Sequence, residues 1–223
     1  MVKPAAARLS DSQRHALAEM GIDVWVAARA AAPDAAPVSR DWLAFQEEVR
    51  ACTACELAET RTQTVFGVGD PSADWMIIGE APGAEEDRRG EPFVGRAGQL
   101  LNEMLLAVGL RRERVFIANI LKCRPPGNRD PRPAEIEACA AHLQRQVDTV
   151  QPKLILAVGR IAAQSLLDST SPVGRLRGRV HVYGPDSIPL VVTYHPAYLL
   201  RRPGQKQRAW DDLCLARATV APA

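Results

Sequence analysis

Four short apolar runs, each followed by a polar loop and then a helical stretch, constrain this chain more than any other feature. They are Trp75-Met-Ile-Ile-Gly79, Val115–Ile120, Leu154–Val158 and Leu190–Thr193. Helical stretches are expected at about Gly95–Val108, at Pro133–Val150, after Gly159, and near Gln205–Ala218. Short strands alternating with helices imply a parallel sheet covered on both faces. The expected fold class is therefore α/β, a three-layer α/β/α arrangement around a central, mainly parallel four-stranded sheet. Such sheets bind ligands just beyond the C-terminal ends of their strands. The segments that follow three of the strands are Glu80-Ala-Pro-Gly83, Asn119–Asn128 and Tyr194-His-Pro196. Three distant parts of the chain are thus expected to meet at one edge of the sheet.

The chain has 223 residues, enough for one domain with a substantial core and an appendage. Residues 41–220 form the expected domain. Residues 1–40 are rich in Ala and Pro and read as an extension and linker. Within them Ser10 or Asp11 is placed to cap a short helix ending near Gly21, and Ala30–Val38 is the linker. The extension is either a partner-binding arm or a tail.

No apolar run approaches the roughly 18 residues that span a bilayer, and Met1–Ser10 lacks the apolar stretch of a secretory signal. The expectation is a cytoplasmic, reducing location with no membrane association. There the five cysteines are thiols or metal ligands rather than disulfides. The net charge of +2 is too small to argue for nucleic acid, but its distribution is uneven. Residues 41–110 carry 5 basic and 13 acidic side chains, whereas residues 160–217 carry 9 basic and 4 acidic. The basic half could follow a phosphate backbone, or it could be a set of solvated arginine faces.

Cys52-Thr-Ala-Cys55 is a C-x₂-C pair, and Cys123 and Cys139 follow with 15 residues between them. Four thiolates can hold either Zn²⁺ or a cubane iron–sulfur cluster, and spacing alone does not choose. Cys139 could instead be a small buried apolar residue. Cys214 lies in the last helix between Leu213 and Leu215 and is read as structural.

Taken together, Gly79-Glu-Ala-Pro-Gly83, Pro92-Phe-Val-Gly95, Asn119-Ile-Leu-Lys-Cys-Arg-Pro125 and His195-Pro-Ala-Tyr-Leu-Leu-Arg201 resemble the family 4 uracil-DNA glycosylases. The resemblance runs from about Cys52 to Leu213 and includes all four cysteine positions. It implies a [4Fe–4S] cluster on Cys52, Cys55, Cys123 and Cys139, with a structural role. It also implies hydrolysis of the N-glycosidic bond that releases uracil from DNA in base-excision repair and leaves an abasic site. No lysine stands out for Schiff-base chemistry, so a monofunctional enzyme without strand cleavage is expected; a monomer is expected as well. Residues 1–40 become a candidate arm for a replication or repair partner. Relatives that crosslink to DNA do so through a histidine in an inserted basic loop. The segment after Cys123 reads Arg-Pro-Pro-Gly-Asn-Arg-Asp-Pro and has no such histidine. The competing expectation is a non-catalytic DNA-binding or polymerase-associated relative that keeps fold and cluster.

The resemblance assigns roles residue by residue. His195 would donate a hydrogen bond to a uracil carbonyl oxygen as negative charge builds on the leaving base. Asn119 offers a donor and an acceptor that match the O4 and N3–H edge of uracil. Phe93 would stack on the base. Gly79, Ala81, Pro82 and Gly83 shape a tight loop against base or phosphate. The resemblance places Glu80 beside the pocket, as a residue to hold water or the base. Ala81 stands where the best-known uracil glycosylases carry a catalytic aspartate, so leaving-group stabilisation is expected to dominate. One of Leu199 and Leu200, with Leu200 preferred, would fill the gap left by a flipped base. Arg201, Lys206 and their basic neighbours Arg202 and Arg208 would hold phosphates.

Overall fold

The computed structural model describes residues 39–220. Apart from Ser39 and Arg40, the N-terminal extension expected over residues 1–40 lies outside the described residues. Two short antiparallel strands add to the four expected ones. The sheet contains β1 (Val68–Gly69), β2 (Trp75–Gly79), β3 (Phe116–Asn119), β4 (Leu154–Val158), β5 (Val180–Tyr183) and β6 (Ile188–Thr193), in the order β1-β3-β2-β4-β6-β5. The four predicted strands form the parallel centre, β3-β2-β4-β6. β1 and β5 pair antiparallel at the edges.

The four central strands are buried on both sides, which is why they read as unbroken apolar runs. Met76, Ile78, Phe116, Ala118, Ile155, Ala157, Leu190 and Val192 face one core. Trp75, Ile77, Ile117, Leu154, Leu156, Val158 and Val191 face the other. This is the period-two alternation of a pleated sheet. The first core is closed by α1 (Arg40–Ala51), α5 (Pro133–Val150) and α6 (Arg160–Leu166). The second is closed by α4 (Arg96–Ala107), α8 (Pro196–Arg201) and α9 (Lys206–Val220). Three layers result, as the sequence implies. Short helices α2 (Leu57–Thr60), α3 (Ala84–Arg89) and α7 (Val173–Leu176) complete the element order.

Pro133 opens α5 at a position where no N–H is needed, and the Glu135 carboxylate accepts the Arg132 N–H at 2.7 Å. Helix α1, an element additional to the expected ones, starts after Ser39, whose Oγ accepts the Trp42 N–H at 3.1 Å. It buries Trp42, Phe45 and Val49, spaced along one face. Trp42 meets Phe66 and Phe116 edge-on, with ring centroids 5.1 and 5.4 Å away. The Arg145 guanidinium of α5 lies 4.0 Å over the Phe45 ring. This contact delivers Cys52, at the end of α1, to the flank of α5.

The chain passes from β2 outward to β3 and then back across to β4. Successive crossovers therefore diverge between β2 and β4, leaving a crevice at their C-terminal ends. Trp42→Ala should remove the aromatic pin between α1 and the sheet. We expect it to lower unfolding free energy by about 3–5 kcal/mol in a denaturant titration; a loss below about 1 kcal/mol would show that α1 is a passive cover.

Candidate active site

The crevice at the C-terminal strand ends opens into a cavity of about 790 Å³. Glu80 and Ala81 enter it after β2, Asn119 at the end of β3, Gly159 and Arg160 after β4, and His195 after β6. Phe93, Gly83 and Arg201 also line it. Gly79 and Pro82 are buried behind the wall, while Leu200 and Lys206 are exposed and outside the lining.

Gly79 matters through what it lacks. A Cβ there would sit 2.5 Å from Asn119 Oδ1 and 2.7 Å from Phe93 Cζ. The register places Gly79 opposite Asn119, so the glycine opens the space that the Asn119 amide and the Phe93 ring share. Phe93 itself adopts a left-handed backbone, φ +53°, which a bulky residue rarely does. Three features hold it. The Arg112 guanidinium donates to the carbonyls of Pro92 and Phe93, at 2.5 and 3.3 Å. Glu86 Oε1 accepts the Val94 and Gly95 N–H groups at 3.1 and 3.3 Å. At Gly98 any Cβ would collide with the Phe93 carbonyl, 1.7 Å away.

His195 is the N-cap residue of α8, and its Nδ1 accepts the Ala197 N–H at 3.1 Å. A nitrogen that accepts carries no proton, so the neutral ring bears its hydrogen on Nε2. Burial pulls the imidazole down to about 4, with Arg201 adding to the effect and Glu86 opposing it. Near neutral pH the ring is therefore an uncharged Nε2–H donor. It stacks beside Phe93, with centroids 5.6 Å apart and planes 27° from parallel. Burial pushes the Glu80 carboxyl above its ordinary range; Asp130 adds to this and Arg160 opposes it.

Several residues of the site carry no strong sequence signal. Glu86 and Arg112 act on the backbone around Phe93. Tyr194 and Tyr198 form a second aromatic wall, with centroids 5.0 Å apart. Arg177 lies 5.8 Å over the Tyr194 ring, while its Nε donates at 3.0 Å to Asp212, a fully buried carboxylate. Within α8 the leucine pair divides: Leu199 is 1% exposed within the second core, and Leu200 stands out at 41%.

On the opposite flank, Cys52, Cys55, Cys123 and Cys139 line one small cavity between α1, α5 and the loop after β3. Among the described residues no three His, Cys, Asp or Glu side chains close on a point that would hold a single metal ion. N–H donors point at the sulfurs: Arg61 Nη1 to Cys123 at 3.2 Å and the Lys122 backbone N–H to Cys139 at 3.3 Å. His142 Nε2 lies 3.3 Å from Cys52 Sγ. Burial pushes the Cys123 thiol up to about 11, so it gives up its proton only to a bound metal group. This donor set fits a thiolate-bound metal group. Cys214 is exposed and remote from it in the chain.

Fold and site together define a three-layer α/β protein with an aromatic-walled polar pocket at its switch point and a four-thiol cavity on one flank. The family model of the uracil DNA glycosylase superfamily matches residues 66–214. The chain is 44% identical over 172 residues to the type-4 uracil-DNA glycosylase of Archaeoglobus fulgidus, covering 74% of this chain and 86% of that protein. It is 42% identical over 175 residues to that of Sulfurisphaera tokodaii, covering 75% and 80%. It is 43% identical over 164 residues to that of Thermotoga maritima, covering 73% and 84%. The chain belongs to the uracil-DNA glycosylase superfamily, in its type-4 family.

The site makes a spectroscopic prediction. A ¹⁵N-detected titration of the His195 ring should show a neutral Nε2–H tautomer at pH 7 and protonation only near pH 4. A midpoint near the ordinary value of about 6.5 would mean that burial does not control the ring.

Proposed function

We propose that this chain is a monofunctional uracil-DNA glycosylase of base-excision repair, a hydrolase that cuts the bond between deoxyribose C1′ and uracil N1 and leaves an abasic site. One observation carries the reading: a neutral imidazole donor and a carboxamide from separate strand ends, and an aromatic face from the loop before α4, line a single cavity. The family supplies the chemical context, and the non-catalytic alternative gains no support from a site this complete.

The target base leaves the duplex at a cost of a few kcal/mol and enters the cavity. Phe93 stacks on its face, which contributes about 1–3 kcal/mol. The Asn119 carboxamide donates to O4 and accepts from N3–H. Cytosine presents a donor and an acceptor in the reverse order, so it leaves buried groups unpaired. As the C1′–N1 bond breaks, its electron pair goes to the uracil ring and the sugar gains oxocarbenium character. His195 Nε2–H donates to a uracil carbonyl oxygen as that charge grows, a contribution of roughly 3–4 kcal/mol for a preorganised donor. An uncharged donor suits the task because it is present across the neutral range. Water adds to C1′ and releases its proton. Glu80, held above its ordinary range by burial, is placed to orient that water and take the proton. Ala81 offers no carboxylate, so stabilisation of the leaving base dominates.

Leu200, exposed next to a buried neighbour, fills the space the base vacates. Arg201 at the cavity rim and Lys206 at the start of α9 hold phosphates. The loop of Gly79, Pro82 and Gly83 lets backbone approach the substrate. Cys52, Cys55, Cys123 and Cys139 would hold a [4Fe–4S] cluster, which when bound ties α1 and α5 to the loop after β3. No helix of the described residues is long and apolar enough to cross a membrane. The enzyme works as a monomer in a reducing cytoplasm, and residues 1–40 are its arm for a replication or repair partner.

Two measurements test this. Uracil release from a uracil-containing oligonucleotide should fall about 10²–10³-fold for His195→Ala and by less for Glu80→Gln; tight binding without release by the wild-type protein, or a far larger loss at Glu80, would overturn the assignment. Purified protein should be brown with iron–sulfur absorbance, and Cys55→Ser should bleach it; a colourless protein holding one zinc ion would refute the cluster.

A further inference from the structure

Lys122 borders the cysteine cavity and gives its backbone N–H to Cys139, but its ammonium bonds to neither a cysteine sulfur nor a pocket side chain. It is 1% exposed. Burying a lysine ammonium is costly unless its donors are satisfied. Here both acceptors are neutral amide oxygens: Nζ donates to the Asn119 carbonyl at 2.7 Å and to Gln146 Oε1 at 2.6 Å. Gln146, itself fully buried, donates to the Phe66 carbonyl at 2.7 Å. The Lys122 carbonyl accepts the Val65 N–H at 2.7 Å. Side chain and backbone are thus fixed from several directions.

The strand pattern explains why a donor is needed there. The peptide joining Asn119 to Ile120 turns its N–H toward β2, where it donates to the Gly79 carbonyl at 2.9 Å. Its carbonyl points the opposite way, toward β1. But β1 pairs with β3 only at Phe116 and Ile117. The last carbonyl of β3 has therefore outrun its neighbouring strand, and Lys122 Nζ supplies the missing donor. This peptide is gripped on both sides, by Gly79 and by Lys122, at the residue whose amide faces the cavity.

We propose that Lys122 is a positioning residue for base recognition, fixing the Asn119 peptide and through it the direction of the Asn119 carboxamide toward the extruded uracil. The proposal rests on the reading of Asn119 given above. A small misplacement of a recognition group can cost up to about 10²-fold in rate.

A double-mutant cycle tests it, with single-turnover uracil release as the readout. Lys122→Met keeps length and apolar bulk but removes the donor. In the otherwise wild-type protein it should slow release about tenfold or more, and Lys122→Arg should recover part of that loss. In the Asn119→Ala background Lys122→Met should cost less than about twofold, because the group it positions is gone. Iron–sulfur absorbance per chain should stay at the wild-type level in every variant. Equal losses in both backgrounds, or a loss that tracks bleaching, would overturn the proposal and leave Lys122 a support of the cysteine loop. No loss in the wild-type background would also overturn it. If Lys122→Met does not fold, Gln146→Met, which frees Nζ from its side-chain acceptor, enters the same cycle with the same requirement. Wild-type activity in Asn119→Ala alone would instead remove the reading of Asn119 on which the proposal rests.

Discussion

The space above Gly79 is shared by two groups, and one methyl group there would expel at least one of them. The Asn119 amide oxygen and the Phe93 ring both come within 3 Å of where a side chain would start. That closeness brings two distant parts of the chain into one pocket. It depends on the parallel register of β2 and β3, which sets Gly79 opposite Asn119. It depends also on a left-handed backbone at Phe93, a conformation that must be paid for by its surroundings. Arg112 on the carbonyls and Glu86 on the amides supply that support from opposite sides. The aromatic face is thus held in place by the chain's own contacts, as the proposed stacking on a flipped base requires.

The electrostatics of the pocket follow the same logic of preparation. The N-terminus of α8 uses His195 as its cap, and this use dictates which ring nitrogen keeps the proton. Burial keeps the ring uncharged. Helix capping, tautomer and the direction in which the ring donates are therefore one arrangement: turning the ring to free Nδ1 would cost α8 its cap. Gly159 lies against the same ring, where a Cβ would come 3.0 Å from that of His195. A fixed neutral dipole stabilises a growing anion without reorganising at the moment of reaction.

Much of this was legible in the sequence, for physical reasons that vary by element. The four central strands are buried on both faces and so read as apolar runs; α5 carries its own proline start. The edge strands were silent, because β1 has two residues and β5 is half exposed, with Val182 at 60%. The signal for α1 was present in Ser39, Trp42, Phe45 and Val49, but a helix of charged residues around three apolar ones resembles alternation over a short window. The strand-end rule marks the segments that hold His195 and Asn119, which line one cavity, while the roles given to them come from the resemblance. That rule does not mark Arg112, Glu86 or Tyr198, since their roles exist only once the chain has folded. Arg112 acts 19 and 20 residues away on backbone atoms. Lys122 stood in plain view within the Asn119–Pro125 motif. Its task depends on where a neighbouring strand stops, which no local pattern records.

The most direct measurement is a crystal structure of the protein soaked with free uracil. The account predicts the base stacked on Phe93, with O4 and N3–H against the Asn119 carboxamide and a carbonyl oxygen within hydrogen-bond reach of His195 Nε2. Uracil seated away from Phe93, or a pocket in which the imidazole presents Nδ1 instead, would contradict it.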